Sequence, residues 1–257
     1  MFIASLIDLG LDRNWLSETI GEVLPGDNYV KIERGTRGGI SGTRFRVMTS
    51  GELSHRSIYD IKSLIEGSAL ADEIKSRAIE TFQLLADVES NIHGVGVEEV
   101  HFHEVGAIDS IADVIGSVAG IRKLNPEAVY STPVNTGSGF VTTEHGKLPV
   151  PAPATAELLR RCGAPTYSEG IGMELTTPTG AAILATFVDE FTRPPMRFES
   201  IGYGLGSKKI DGAGNFLRAT LGSISPADVD NARESEVVIE TNIDDMNPEL
   251  FPVVENK

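Results

Sequence analysis

The sequence predicts an α/β or α+β domain built on a mixed sheet with flanking helices, and three observations carry that prediction. Stretches with apolar residues at every third or fourth position alternate with short runs rich in Val, Ile, Phe and Tyr. Turns bearing Gly or Pro separate them, and no stretch repeats another. Strand order is not readable from such a pattern. A chain of 257 residues is long enough for one large domain or two modest ones, each burying a core of its own.

Residues 2–9 and 12–24 read as helices from their apolar spacing. The first has no capping residue before it, as though the chain entered partway through an element. Residues 29–49 read as two strands around the Gly-rich turn at 38–39. Ser54 is the expected N-cap of a helix running to about residue 65, and a longer helix is expected at 71–91. A strand around His101 then turns into a helix from Ile108 onward. Residues 128–135 are a candidate strand, and 137–153, rich in Gly, Pro and Thr, are expected to form an irregular surface loop. Helices at 153–162 and 178–191, strands at 196–203, 215–221 and 236–243, and a short acidic helix start at 245–249 complete the order.

Bulk properties narrow the function. The start of the chain is apolar only briefly and is interrupted by Asp8 and Asp12, so it reads as neither a secretory signal nor a membrane span. A soluble, cytoplasmic protein is the expectation. The single Cys162 cannot form an internal disulfide or a thiolate cage, so any metal must be held by His, Asp, Glu or a substrate. A formal charge of −15 argues against general nucleic-acid binding, because phosphate backbones are held by Lys and Arg. Charge is nonetheless uneven: Lys31, Arg34, Arg37, Arg44 and Arg46 face one acid, Glu33, within residues 30–46. Such a strip can hold a small phosphorylated molecule, or be no more than the solvated face of a hairpin.

The most informative segment is VHFHEVGAIDSIAD at residues 100–113. Side chains two apart on a strand share a face, so His101 and His103 would project together while Phe102 enters the core. On the following helix Asp109 and Asp113 stand one above the other. That corner can gather nitrogen and oxygen ligands around one divalent ion, with Glu104 as a ligand or proton acceptor. The competing explanation has the histidines capping backbone groups and the aspartates in solvent. His93, before Gly94, fits a helix C-terminus, where an imidazolium favours the macrodipole by about 0.3–1 kcal/mol.

Two further stretches carry chemistry. Glu144, His145 and Lys147 put an acid, an imidazole and an amine in one loop, a supply of acid–base groups or ordinary turn chemistry. Thr176, Thr177, Pro178, Thr179 and Gly180 make a sharp helix start, whose free N–H groups can hold a phosphate or only water. The glycines at 202–214 do not follow a Walker loop. In the last segment Asp244, Asp245 and Glu249 could bind Mg²⁺ or Mn²⁺, or simply cap a helix.

Taken together, the strings HGVGVEEVHFHEVGAIDSIAD, GSGFVTTEHGKLPVPAPATAELL, ELTTPTGAAIL and IETNIDDMNPE resemble the LarC family, the nickel-insertion proteins of the lactate racemase cofactor. The resemblance runs essentially from end to end. It implies CTP-dependent insertion of Ni²⁺ into pyridinium-3,5-bisthiocarboxylic acid mononucleotide, a lyase-like reaction yielding sulfur–nickel and carbon–nickel bonds. Set against that reaction, His101, His103, Asp109 and Asp113 are candidate metal ligands that could release nickel again. Glu104, Glu144 and His145 are candidate bases for the ring proton lost when the carbon–nickel bond forms. Arg34, Arg37, Thr177 and Thr179 are candidate phosphate contacts.

The resemblance also implies parts outside this chain. Residues 1–225 are expected to be the metal- and substrate-handling domain without its first strand, and 226–257 the start of a connection to a C-terminal domain that binds CTP with Mg²⁺ or Mn²⁺. That domain, or a split partner chain, is the expected protein partner, without nucleic acid or membrane, and oligomeric state stays open. The isolated chain is expected to be an incomplete enzyme. Two other classes compete: a non-catalytic nickel chaperone or store, and a hydrolase using His101, His103 and Asp109 with an activated water.

Overall fold

Caps and apolar spacing set the helices. In the computed structural model, which describes residues 1–24, 26–49, 56–102, 107–210, 214–224 and 235–240, with His101 and residues 235–240 traced by backbone alone, seven α-helices flank a mixed sheet. Helix α1 (Phe2–Asp8) buries Ile3 and Leu6, and α2 (Arg13–Gly21) begins where the Asp12 carboxylate accepts from the N–H groups of Asn14 and Trp15. Helix α3 (Ile58–Glu66) starts later than its sequence suggests. Its cap is Ser57, which forms a reciprocal capping box with Asp60, while Ser54 lies outside the described residues. Helix α4 (Asp72–His93) runs six turns and stops at Gly94, whose φ of 66° only glycine adopts freely.

Helix α5 (Ile108–Leu124) is the buried axis of the molecule, touching α1, α2, α4 and α7. Helix α6 (Pro153–Arg161) and α7 (Pro178–Phe187) both open with proline, whose missing N–H is no loss in a first turn. The latter ends four residues before its expected limit, at Val188, which is extended.

Six strands form the main sheet in the order β1-β2-β10-β11-β12-β5. β1 (Tyr29–Arg37) and β2 (Ile40–Met48) are the expected antiparallel hairpin, in register from Tyr29 opposite Met48 to Arg37 opposite Ile40. β10 (Met196–Leu205) and β11 (Phe216–Ile224) are antiparallel, and β12 (Ser235–Glu240) joins β11 to the parallel edge strand β5 (Val129–Ser131). The single run expected at 128–135 is two strands. β6 (Val134–Asn135) leaves the sheet to pair with β9 (Thr166–Tyr167), two residues with no readable periodicity.

The segment 137–153 also departs from expectation: β7 (Phe140–Thr143) and β8 (Gly146–Pro149) make a hairpin. Thr143 sits at its turn, bonding through its hydroxyl to Gly146 O and accepting from His145 N–H. β3 (Arg56–Ser57) and β4 (His101–Phe102) form a small antiparallel pair, with Ser57 opposite His101. The acidic helix start expected at 245–249 lies outside the described residues. Among those residues, no helix is long and apolar enough to cross a membrane.

α1 lies on β10, β2 and β11 at backbone-contact distance. A methyl group at Gly202 would strike the backbone of Ser5 and Leu9, and one at Gly204 the backbone of Met1 and Ser5. Strand glycines here are the seat of a helix. On the other side of α1, Gly116 of α5 leaves room for the Ile3 and Ile20 side chains. One carboxylate closes the sheet seam beneath. Asp8, nearly buried, accepts from the Arg34 guanidinium, from Thr43 Oγ1 at 2.9 Å and from the Tyr203 N–H at 2.9 Å. The ladder between β2 and β10 has a single paired position, Thr43 with Gly204, so Asp8 ties two strands that their own backbones barely join.

Candidate functional site

Where α5 passes the start of α7, the packing leaves a cavity of about 290 Å³. One wall is polar. Asp113 and Ser117, one turn apart on α5, line it together with Thr176, Thr177 and Thr179 at the start of α7 and with Asn135 and Asn215. Apolar side chains of Phe2, Ile3, Ile183, Leu184 and Phe216 complete the lining.

Local sequence explains each piece. Thr177 is the N-cap of α7, its hydroxyl accepting from Gly180 N–H at 3.2 Å. Pro178 has no N–H, so within the first turn the Thr179 N–H is a donor that the helix ladder itself does not use. The Thr179 hydroxyl donates to Ser110 Oγ at 3.4 Å, linking the helix start to α5. Asn135 holds the floor: its side-chain oxygen accepts from Gly137 N–H at 3.1 Å, its amide donates to Glu169 at 3.3 Å, and its carbonyl accepts from Thr176 Oγ1 at 2.7 Å. Asn215 donates to Lys208 O at 2.9 Å.

Two groups stand apart from this network. Ser117 is 1% exposed, and its hydroxyl has no hydrogen-bond partner among the described residues. The Asp113 carboxylate accepts no hydrogen bond among the described residues. Burial pushes its pKa above the ordinary 3.8, the charge of Asp109 adds to the rise, and the chain's terminal ammonium opposes it.

The sequence-predicted residues divide among several places. Asp113, Thr177 and Thr179 come together in the cavity. Asp109 is exposed in the first turn of α5 and accepts from Ser110 N–H at 2.9 Å. The backbone of His101 is in β4, while His103 and Glu104 lie outside the described residues. Glu144 and His145 occupy the turn of the β7–β8 hairpin, where the His145 ring lies 4.8 Å from that of His93 at the end of α4. His93 Nε2 is in turn 3.5 Å from Glu89. The hairpin tip thus meets the end of α4 through an imidazole pair.

Arg34 and Arg37 do not line the cavity. Arg34 is bound to Asp8, and Arg37 donates to the carbonyls of Gly206 at 3.1 Å and Ser207 at 2.8 Å. Among the described residues no group of three or more His, Cys, Asp or Glu is arranged to hold a metal. Sequence reasoning did not single out Ser117, Asn135 or Asn215. A signal was present for the first: Ser110, Asp113 and Ser117 make a polar stripe at i, i+3 and i+7 along a helix that is otherwise mostly apolar and buried.

The chain is similar throughout to known proteins. The family model described as nickel insertion protein matches residues 1–257. A putative nickel insertion protein of Geotalea daltonii is 44% identical over 98% of this chain and 64% of its own length, and one from Dictyoglomus thermophilum is 43% identical with the same coverage. The pyridinium-3,5-bisthiocarboxylic acid mononucleotide nickel insertion protein of Thermotoga sp. strain RQ2 is 42% identical, again over 98% of this chain and 64% of the relative. The chain thus spans a little under two thirds of the length of these relatives. No solved structure matches it.

Proposed function

The chain belongs to the nickel insertion protein family, and from that premise we propose that it forms the nickel- and substrate-handling part of an enzyme acting on pyridinium-3,5-bisthiocarboxylic acid mononucleotide. The observation that carries the reading is α5: with Asp109 in its first turn, it lines the cavity through Asp113 and Ser117. A metal at one end and a small organic molecule along the side would therefore share one rigid element.

In this reading nickel is cargo, taken first by His101, His103 and Asp109, imidazole and carboxylate ligands that let go more readily than a thiolate cage. Asp113, lining the cavity, is left to the organic substrate. The phosphate of that substrate goes to the start of α7, where Thr177 and Thr179 stand and the helix dipole favours an anion. Arg34 and Arg37, engaged elsewhere, are the weaker phosphate candidates. Insertion replaces a ring hydrogen by nickel, so a base must accept a proton; Glu104, Glu144 and His145 are the proposed acceptors. CTP with Mg²⁺ or Mn²⁺ is assigned to the part of the relatives' length that this chain does not span, and lactate racemase is the proposed user of the product.

The test is nickel titration of this chain, followed by an insertion assay with the pyridinium mononucleotide and CTP in the presence of the remaining, CTP-binding part, using mass spectrometry of the product. His101→Ala combined with His103→Ala should abolish nickel binding. Glu144→Gln and His145→Ala should keep nickel and slow insertion by about 10²-fold or more, the usual size of a general-base contribution. Unchanged nickel binding in the double histidine variant would overturn the metal assignment.

A further inference from the structure

The β7–β8 hairpin is a two-stranded sheet of its own and, among the described residues, pairs with no other strand. A side chain at such a turn has more freedom than proton transfer tolerates, since a catalytic group must be held within about 0.5 Å of its productive place. His145 is not left to the turn. Its N–H donates to Thr143 Oγ1 at 3.1 Å, and its ring lies 4.8 Å from that of His93, the two planes tilted by 43°. The hairpin behind it is braced as well, by the Lys147 ammonium of β8 lying 4.6 Å from the centre of the Phe140 ring of β7.

What the tip rests on is rigid. His93 is the last residue of α4, whose preceding turns bury Phe82, Leu85, Ala86 and Val88. One turn back along the helix, Glu89 reaches 3.5 Å from His93 Nε2 and steadies the ring that meets His145. Helix α4 itself has no need of the contact, because Gly94 supplies its cap and an imidazole at that end favours the dipole without a second ring beside it.

The chain beyond His93 is pinned. The Ser90 hydroxyl donates to Val95 O at 2.6 Å, the Val95 N–H donates to Ser90 O at 3.2 Å, and a 3-10 turn at Val97–Glu99 touches both α4 and α3. The backbone then enters β4 at His101, opposite Ser57, the cap of α3. The imidazole pair and the backbone of the first proposed nickel ligand thus belong to one packed unit.

We infer that His93 is a positioning residue for His145: by ring contact, steadied by Glu89, it holds the tip imidazole in place to accept the proton released on insertion. As the substrate's C–H bond breaks, its electron pair goes to the carbon–nickel bond and its proton to the His145 imidazole. The inference rests on the nickel-insertion reading and narrows it, making His145 the working proton acceptor.

The experiment measures kcat and KM for the pyridinium mononucleotide, in the insertion assay given above, for His93→Ala, His93→Phe, His145→Ala and the double alanine variant. Nickel titration of each variant, and the NMR signals of the His145 ring in wild type and His93→Ala, are recorded alongside. His93→Ala should lower kcat about tenfold with KM and nickel affinity unchanged, the cost of a small misplacement. His93→Phe keeps a flat ring at the contact and should recover most of that loss. The double variant should be no slower than His145→Ala alone, because a residue that acts through another adds nothing once the other is gone. Losses that multiply, or a Phe variant as slow as the Ala one, overturn the inference and leave the function reading intact. His145→Ala at the wild-type rate overturns the inference together with that acceptor, but not nickel insertion. No insertion by wild type overturns the function reading, and the NMR signals then decide the contact alone: a His145 ring signal that moves in His93→Ala supports it, and one that stays overturns it.

Discussion

Asp8 and Asp113 lie on helices that pack together, α1 and α5, yet one carboxylate is fully engaged and the other is not. Around Asp8 every donor has a use: a guanidinium, a hydroxyl and a backbone N–H converge on one group and hold two strands in place. Around Asp113, among the described residues, the Ser117 hydroxyl has no partner and the packing leaves a cavity. The first region is built to stay closed. The second keeps its polar groups open at a cost in stability, as sites that await a ligand do.

The comparison can be broken most forcefully on the closed side. Gly204→Ala drives a methyl group into the backbone of α1, and we expect a loss of about 3 kcal/mol or more in urea unfolding. A midpoint equal to wild type would mean that α1 sits more loosely than its contacts imply. Asp8→Ala comes next, at about 2–3 kcal/mol by the same method, because the Tyr203 N–H and Thr43 hydroxyl lose their acceptor.

On the open side the sign reverses. Asp113→Asn should raise stability at neutral pH by removing a charge whose burial is unfavourable. Since the folded pKa is raised, the penalty is absent below the ordinary 3.8 and grows as pH rises toward the folded value. The gain over wild type should accordingly vanish on acidification to below that point; a gain independent of pH would assign the effect to packing. The smallest change sharpens the role of the cavity. Thr155 is another fully buried residue whose hydroxyl lacks a partner among the described residues, but it does not border the cavity. Thr155→Val should add up to about 1 kcal/mol to stability and leave calorimetric binding of the pyridinium mononucleotide unchanged.

What the sequence revealed follows from the range over which each feature is determined. Helices α1, α2, α4, α5 and α6 and the β1–β2 hairpin were legible because caps, turns and periodicity are local. The β7–β8 hairpin was hidden by Gly, Pro and Thr, which mark irregular loops and tight hairpins alike. Sheet order was invisible, since β2 meets β10 more than 150 residues later through one paired position. At the site, the i, i+4 pairing of Asp109 and Asp113 drew attention to a metal and away from the i, i+3, i+7 stripe of Ser110, Asp113 and Ser117. Spacing alone does not say which of two overlapping faces looks inward; only the packing of α1 and α7 around α5 does.

The position of β12 has a consequence for how the protein comes into being. Edge strand β5 is complete by Ser131, yet its neighbour in the six-stranded sheet begins at Ser235. A ribosome adding about 5–20 residues per second would make that neighbour several seconds later. For that interval β5 lacks its sheet neighbour, and once β11 is made it too waits on the missing strand, each an open border, with the chain carrying Asn135 toward the cavity leaving from β5. Such borders template wrong pairings. The handling of newborn chains, rather than the equilibrium stability of finished ones, is therefore where a weak mutation in β5 or β12 would first be felt.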